Sequence, residues 1–256
     1  MILIFIQQIE TAKRALQSAF LLSGFLKKEF GIMYFVHSNE EIHCKKEKLE
    51  NFAEKENLSD AKIFVQKNEL SELPEICEQL EASFLVLQLL ENRSRCIQKQ
   101  LNACRTLRIP YLIYKDSFPL LDLKKILVPV TFLEEEYEKA QFASAFGRFC
   151  NSEIHVLLAN DYGSKAKTTA DKMTQLFDKF GLNYVVEKAK GDSFKMEKES
   201  VVKAEKAQFG CIILSASRDY GLDDMLFGPK EQHLVKKSNV PLLLVNPRGD
   251  LYALCD

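Results

Sequence analysis

Two short runs decide how this chain is read: ILIFI at residues 2–6 and ILVPV at residues 126–130. Each is apolar throughout, as a strand buried on both faces of a parallel sheet must be. Each is followed, after a polar gap, by a long amphipathic segment. Thr11–Phe30 stacks Ala12, Leu16, Ala19, Phe20, Ser23 and Leu26 at three- and four-residue spacing, the period of a helix lying on a sheet. Glu134–Cys150 answers it, with Phe142, Phe146 and Phe149 expected on the buried face.

The same order of elements then runs through both halves, the signature of an internal repeat. Second strands are expected at Ile32–Val36 and Ile154–Leu158, and charged amphipathic helices at Glu40–Glu56 and Ser164–Phe180. The latter helix carries Met173, Leu176, Phe177 and Phe180 on one side and stops at Gly181. Third strands follow at Ala61–Val65 and Tyr184–Val186, with third helices over Glu69–Leu80 and Phe194–Ala207. Pro74 lies inside the first of these and either delays its start or kinks it. Fourth strands fall at Phe84–Leu87 and Cys211–Leu214, and fifth strands at Tyr111–Tyr114 and Leu242–Val245, each after a proline (Pro110, Pro241).

Strands alternating with helices imply a parallel sheet covered on both faces by right-handed crossovers. The expected fold is therefore α/β, with two tandem doubly wound parallel sheets of five strands each. The domains are residues 1–119 and 120–256, joined near Asp116–Pro119, and each falls within the usual domain size. One large Rossmann sheet of ten strands is the alternative; the restart of the same order after Pro119 speaks against it.

Composition narrows the function classes. The 35 basic and 36 acidic residues nearly cancel, so the chain lacks the electrostatic footprint of a nucleic-acid binder. No apolar run reaches the ~18 residues that a spanning helix needs. The N-terminal Met1–Ile6 lacks a basic n-region and a small-residue cleavage site, so it reads as a strand, and a cytoplasmic location is expected. Seven cysteines are scattered without C-x-x-C spacing, and four histidines show no i,i+4 pairing. Neither a disulfide framework nor a metal site is expected.

In an open α/β sheet a ligand binds beyond the carboxyl ends of the strands, so the residues after the first and fourth strands matter most. In the second half the latter is SASRDYGLDDMLFGPKEQ, residues 215–232. Its Gly221 and Gly228 raise the question of a phosphate cradle, which needs glycine, free amide N–H groups and a helix start. With KKILVPV at 124–130, LFG at 226–228 and SNVPLLLV at 238–245, the second half resembles a universal stress protein (UspA) domain. The doubled arrangement resembles the tandem members of that family. Over the first half the likeness rests on element order and a few strands.

The resemblance implies the Rossmann-like fold of the adenine nucleotide alpha hydrolase, or HUP, superfamily and a role in the stress response. Nucleotide-binding members carry G-x2-G-x9-G-[ST] after the fourth strand and an aspartate at the end of the first. Aligned on LFG, those positions are Ser215, Arg218, Gly228 and Pro229, and the aspartate position is Thr131. Only Gly228 keeps the pattern. Side chains at Ser215 and Arg218 obstruct backbone approach, Pro229 offers neither N–H nor hydroxyl, and Asp219, Asp223 and Asp224 add repulsive charge. Gly228 and Pro229 still suit a helix start. Arg218 could instead reach back to neutralise an anion, or simply pair with Asp219 at the surface.

In the first half the matching segment, QLLENRSRCIQKQLNACRTLRIP at 88–110, holds no glycine, and the aspartate position is Gln7. Arg93, Arg95, Lys99, Arg105 and Arg108 form a modest basic cluster that reads as a solvated face. No catalytic motif is present: there is no G-x-S-x-G, Walker A loop or G-x-G-x-x-G after the first strand. Glu134–Glu136 reads as a set of acids complementing a helix dipole. The expectation is a non-catalytic stress-response protein with degenerate nucleotide sites and no cofactor, the alternative being a module that binds, or weakly hydrolyses, ATP or AMP. The family also implies an intramolecular pseudo-dimer of the two domains through their last strands, with a homodimer as a further option; from charge balance and the lack of a spanning run, neither a nucleic-acid nor a membrane partner is expected.

Overall fold

Ile2–Ile6 forms β1, and all five residues are buried. Strand β2 (Phe30–Val36) pairs with it in parallel on one side and β4 (Phe84–Leu89) on the other, so that Ile4 lies opposite both Ile32 and Val86. Outside these run β3 (Lys62–Lys67) and β5 (Tyr111–Lys115), giving the order β3-β2-β1-β4-β5. This computed structural model describes residues 1–58, 60–90, 94–216 and 230–248. It divides into two units, Met1–Leu121 and Asp122–Asp256.

The second unit repeats the plan. Its strands are β6 (Lys125–Val130), β7 (Glu153–Leu158), β8 (Tyr184–Lys188), β9 (Cys211–Ser215) and β10 (Leu242–Val245), in the order β8-β7-β6-β9-β10, all neighbours parallel. In each unit the strand order reverses beside the first strand, between β1 and β4 and between β6 and β9. Pairing of β6 with β7 continues to Val130, but pairing with β9 spans only Ile126 and Leu127. It stops short of Pro129, which has no N–H to give a ladder. The fold is thus α/β, with five parallel strands in doubly wound order in each unit.

The helices are α1 (Lys13–Leu26), α2 (Glu41–Lys55), α3 (Leu73–Gln79) and α4 (Ser94–Ala103) in the first unit. In the second they are α5 (Lys139–Phe149), α6 (Lys165–Lys179), α7 (Met196–Lys206) and α8 (Lys230–Lys237). Pro74 sits in the first turn of α3, where a missing N–H has no partner to lose. The expected helix over 69–80 therefore splits into a 3-10 turn, Leu70–Glu72, and α3. Glu69 N donates to Glu72 Oε2 at 2.6 Å and closes that turn.

Two expected faces are rotated. Helix α5 buries Ala140, Ala143 and Phe146, while Phe149 is 44% exposed. The segment begins as a 3-10 turn, Glu134–Glu138, whose three residues per turn shift the angular phase of all that follows. The Arg148 guanidinium covers both Phe149 and Phe180, at 5.4 and 4.6 Å from their ring centroids. On α6, Ala166, Ala170, Met173 and Phe177 are buried and Phe180 is not. Strands β3 and β8 outrun their apolar residues, because Gln66, Lys67, Glu187 and Lys188 keep backbone pairing with β2 and β7. The ladder uses main-chain groups and is indifferent to the side chain.

A polar cluster locks β7 to β8. His155 lies 3.0 Å from Glu187 and 2.5 Å from Glu153, and Lys203 of α7 donates to Glu187 at 2.6 Å. The Phe209 ring meets His155 edge-on at 4.9 Å. The Lys203 ammonium, and after it His155, hold the Glu187 carboxyl below its ordinary value of 4.5. A carboxylate depressed in the folded state stabilises it above the unfolded value, and that contribution is lost as pH falls through the folded one. The urea midpoint of the second unit should therefore drop as pH is lowered from about 4.5, and Glu187→Gln should flatten this part of the profile.

Glycine is required at one position between strand entries. Gly210 N donates to Lys125 O at 2.9 Å, and a Cβ there would stand 1.4 Å from Asp122 O, a backbone atom. At Gly24, inside α1, a Cβ would meet nothing within 4 Å. Gly210→Ala should destabilise the second unit by more than about 4 kcal/mol. Gly24→Ala should stabilise the first by about 0.5–1 kcal/mol. Chemical denaturation of both variants checks the pair.

Candidate functional site

At the strand-order reversal of the first unit, a single side chain gathers polar groups from several elements. Gln88, fully buried at the end of β4, accepts at Oε1 from the backbone N–H of Gln7 at 2.8 Å and of Gln8 at 3.0 Å. Its Nε2 hydrogens are shared among Gln8 O at 3.1 Å, Thr11 Oγ1 at 3.0 Å and Asp116 Oδ1 at 2.9 Å. Its main-chain oxygen accepts from Gln7 Nε2 at 2.9 Å and Gln100 Nε2 at 3.0 Å. Gln7, at the expected aspartate position, is thus tied into this plug. The Gln7 and Gln8 N–H groups just past β1 are already satisfied by the chain itself.

The second unit closes the same place with charge. Thr131, just past β6, is buried, and its hydroxyl donates to Glu136 Oε1 at 3.1 Å. Leu133 N donates back to Thr131 Oγ1 at 3.4 Å. Lys139, 1% exposed, forms short contacts with Glu136 Oε2 and with the Pro129 carbonyl. Two residues on from Glu136, Glu138 accepts from the Arg248 backbone N–H at 3.1 and 3.0 Å. Glu134–Glu136 do stand in the first turn of a helical segment, as read from the sequence, but Glu136 is also buried and paired. The 3-10 turn points it inward, where Lys139 neutralises it; a buried carboxylate would otherwise be costly.

Of the other residues singled out in the sequence, Ser215 ends β9, is buried, and has an Oγ without a hydrogen-bond partner among the described residues. Arg218, Gly228 and Pro229 lie outside the described residues, as do Asp219, Asp223, Asp224 and Arg93. Thr131 and Ser215 thus come to the ends of the strands that flank the reversal, while the loop between Ser215 and α8 is not described. Arg108 lines a groove of about 510 Å³ with Glu75, Glu78 and Glu81, so the chain's own carboxylates share that surface. A second groove, about 550 Å³, runs along α6 between Tyr137, Lys165, Lys172 and Lys179.

Gln88 and Lys139 were given no role in the sequence, and Glu136 only that of a dipole-complementing acid. The available signals were a lone amide inside the apolar run FLVLQL and a Glu-Lys pair three residues apart. Among the described residues no group of histidine, cysteine and acidic side chains could hold a metal ion. Burial pushes the thiols of Cys77, Cys150 and Cys211 up to about 12, far from the thiolate form that a nucleophile needs at neutral pH. No described helix is long and apolar enough to cross a membrane.

No family model matches the sequence, and no curated protein matches it. Solved structures do. The chain is similar to a universal stress protein from Archaeoglobus fulgidus DSM 4304, with a TM-score of 0.70 at 16% identity, covering 97% of each chain. It is also similar to a Pseudomonas aeruginosa UCBPP-PA14 protein provisionally assigned as a universal stress protein, with a TM-score of 0.68 at 14% identity, covering 99% of this chain and 95% of the other. The cytoplasmic domain of a prokaryotic cation chloride cotransporter matches with a TM-score of 0.57 at 15% identity, covering 95% of this chain and 93% of that one. At such identities the shared property is the fold, the Rossmann-like fold of the universal stress proteins, and folds host unrelated functions.

The buried pair supplies a test of the second unit's architecture. Lys139→Met strands the Glu136 carboxylate and should destabilise by about 3–5 kcal/mol, whereas Lys139→Met with Glu136→Leu should recover most of that loss. Urea unfolding of the single and double variants measures both.

Proposed function

We propose that this chain is a tandem universal stress protein whose crevices no longer take a nucleotide, and that it serves the stress response through partner contacts rather than catalysis. The observation that carries this reading is the closure of both strand-order reversals by the chain's own groups, Gln88 in one unit and Glu136 with Lys139 in the other. A nucleoside held at the end of the first strand needs a free acceptor there. The Gln7 side chain is held by donating its Nε2 to Gln88 O, Thr131 donates to Glu136, and Glu136 is paired with Lys139.

The fold supports the family reading, since the alignment with the Archaeoglobus protein extends over nearly the whole of both chains. The substitutions at Ser215, Arg218 and Pro229, read from the sequence, act in the same direction as the closed strand ends. A cytoplasmic location accompanies this proposal. Calorimetric titration with ATP, ADP and AMP, with and without magnesium, should give no binding heat up to millimolar ligand. Dissociation constants in the micromolar range would overturn the reading and favour an adenine-nucleotide module.

A further inference from the structure

Three loops leave the carboxyl ends of β6, β7 and β8, and each carries an aromatic ring into solvent. Tyr162 is 108% exposed, Phe194 86% and Phe132 37%. An exposure above that of an extended chain means that the Tyr162 ring stands clear of its surroundings. These rings are held in place from below. Asp161 accepts from Ser193 N at 2.8 Å and also from Ser193 Oγ, which in turn accepts from Phe132 N at 3.0 Å. Asn160 N donates to Gly191 O at 2.9 Å. One hydrogen-bonded knot thus joins Phe132 to the residues that immediately precede Tyr162 and Phe194, and the Phe132 and Phe194 rings lie 5.9 Å apart.

The charges around the knot are sorted. Lys165 and Lys167 follow Tyr162, Lys190 and Lys195 flank Phe194, and all four are exposed. None of their ammonium groups has a carboxylate partner among the described residues. The acids of the same loops are turned to internal donors instead. Asp161 serves Ser193, Asp192 accepts from Lys195 N at 3.2 Å, and Glu199 accepts from Lys190 N at 2.9 Å and Gly191 N at 2.8 Å. Glu134 and Glu135 follow Phe132, so the excess of lysine is concentrated about Tyr162 and Phe194.

We propose that this rim docks on the anionic surface of a lipid bilayer, with Tyr162 and Phe194 entering the interface and Lys165, Lys167, Lys190 and Lys195 meeting the headgroups. Aromatic rings favour the headgroup boundary, and unpaired lysines beside them add attraction to anionic lipid. A fluid boundary accepts rings that project from separate loop tips, whereas a folded protein partner would need a pit matched to each. The absence of a spanning helix among the described residues has no bearing on peripheral contact of this kind.

The chain contains no tryptophan, so Phe194→Trp supplies a unique fluorophore. Its emission should shift to shorter wavelength with vesicles of phosphatidylcholine and phosphatidylserine and change little with phosphatidylcholine alone. Phe180→Trp, at the opposite end of α6, should report no change. In vesicle sedimentation, Tyr162→Ala with Phe194→Ala should remove most binding, and each of Lys190→Gln and Lys195→Gln should weaken it about fivefold. Unchanged Phe194→Trp emission, or wild-type binding retained by the double alanine variant, would overturn the proposal. Self-association that depends on these rings, without vesicle binding, would also overturn it and assign the rim to a second copy of the chain.

Discussion

At the point where a doubly wound sheet reverses its strand order, the crossovers on either side part company and leave main-chain groups facing a gap. A buried donor without a partner costs about 1–3 kcal/mol, so that gap must be answered by a ligand, by water or by the chain. In the first unit Gln88 answers it, with one side-chain oxygen taking both the Gln7 and Gln8 N–H groups. Its amide nitrogen returns to Gln8 O, Thr11 and Asp116. The start of the first helix, the end of β1 and the segment after β5 are all referred to this one residue.

The second unit meets the same constraint by different chemistry. Pro129 ends the pairing of β6 with β9 after two residues, and the Pro129 carbonyl is taken by the Lys139 ammonium. A buried ammonium requires a counter-charge, which Glu136 provides from the 3-10 turn between β6 and α5. Thr131 completes the set by donating to Glu136. Two equivalent positions in the repeat, Gln7 and Thr131, have therefore become internal bonding partners.

Much of the fold was legible in the residues. The restart of the element order at Ile126, the prolines before β5 and β10 and the continuous apolar runs of β1, β4, β6 and β9 specify parallel strands, because burial on both faces leaves no room for alternation. That residue 131 is not a carboxylate and that no glycine lies between 88 and 110 was equally plain. Helix faces were less so. Phe142 and Phe149 match the apolar spacing of α5, yet the helix buries Ala140 and Ala143 beside Phe146, since close approach to a sheet favours small side chains and a 3-10 entry resets the phase.

The sequence by itself determined the α/β repeat and the strand positions, and it placed no carboxylate at residue 131 and no glycine between 88 and 110, because these follow from local periodicity and residue chemistry. Only the tertiary structure decided which groups meet at the strand ends. Gln7 and Gln88 are 81 positions apart, and no local pattern marks an amide that will meet a strand end across the sheet. Glu136 and Lys139 lie close in sequence, but at that spacing an exposed pair and a buried one look alike; the turn that aims them inward makes the difference.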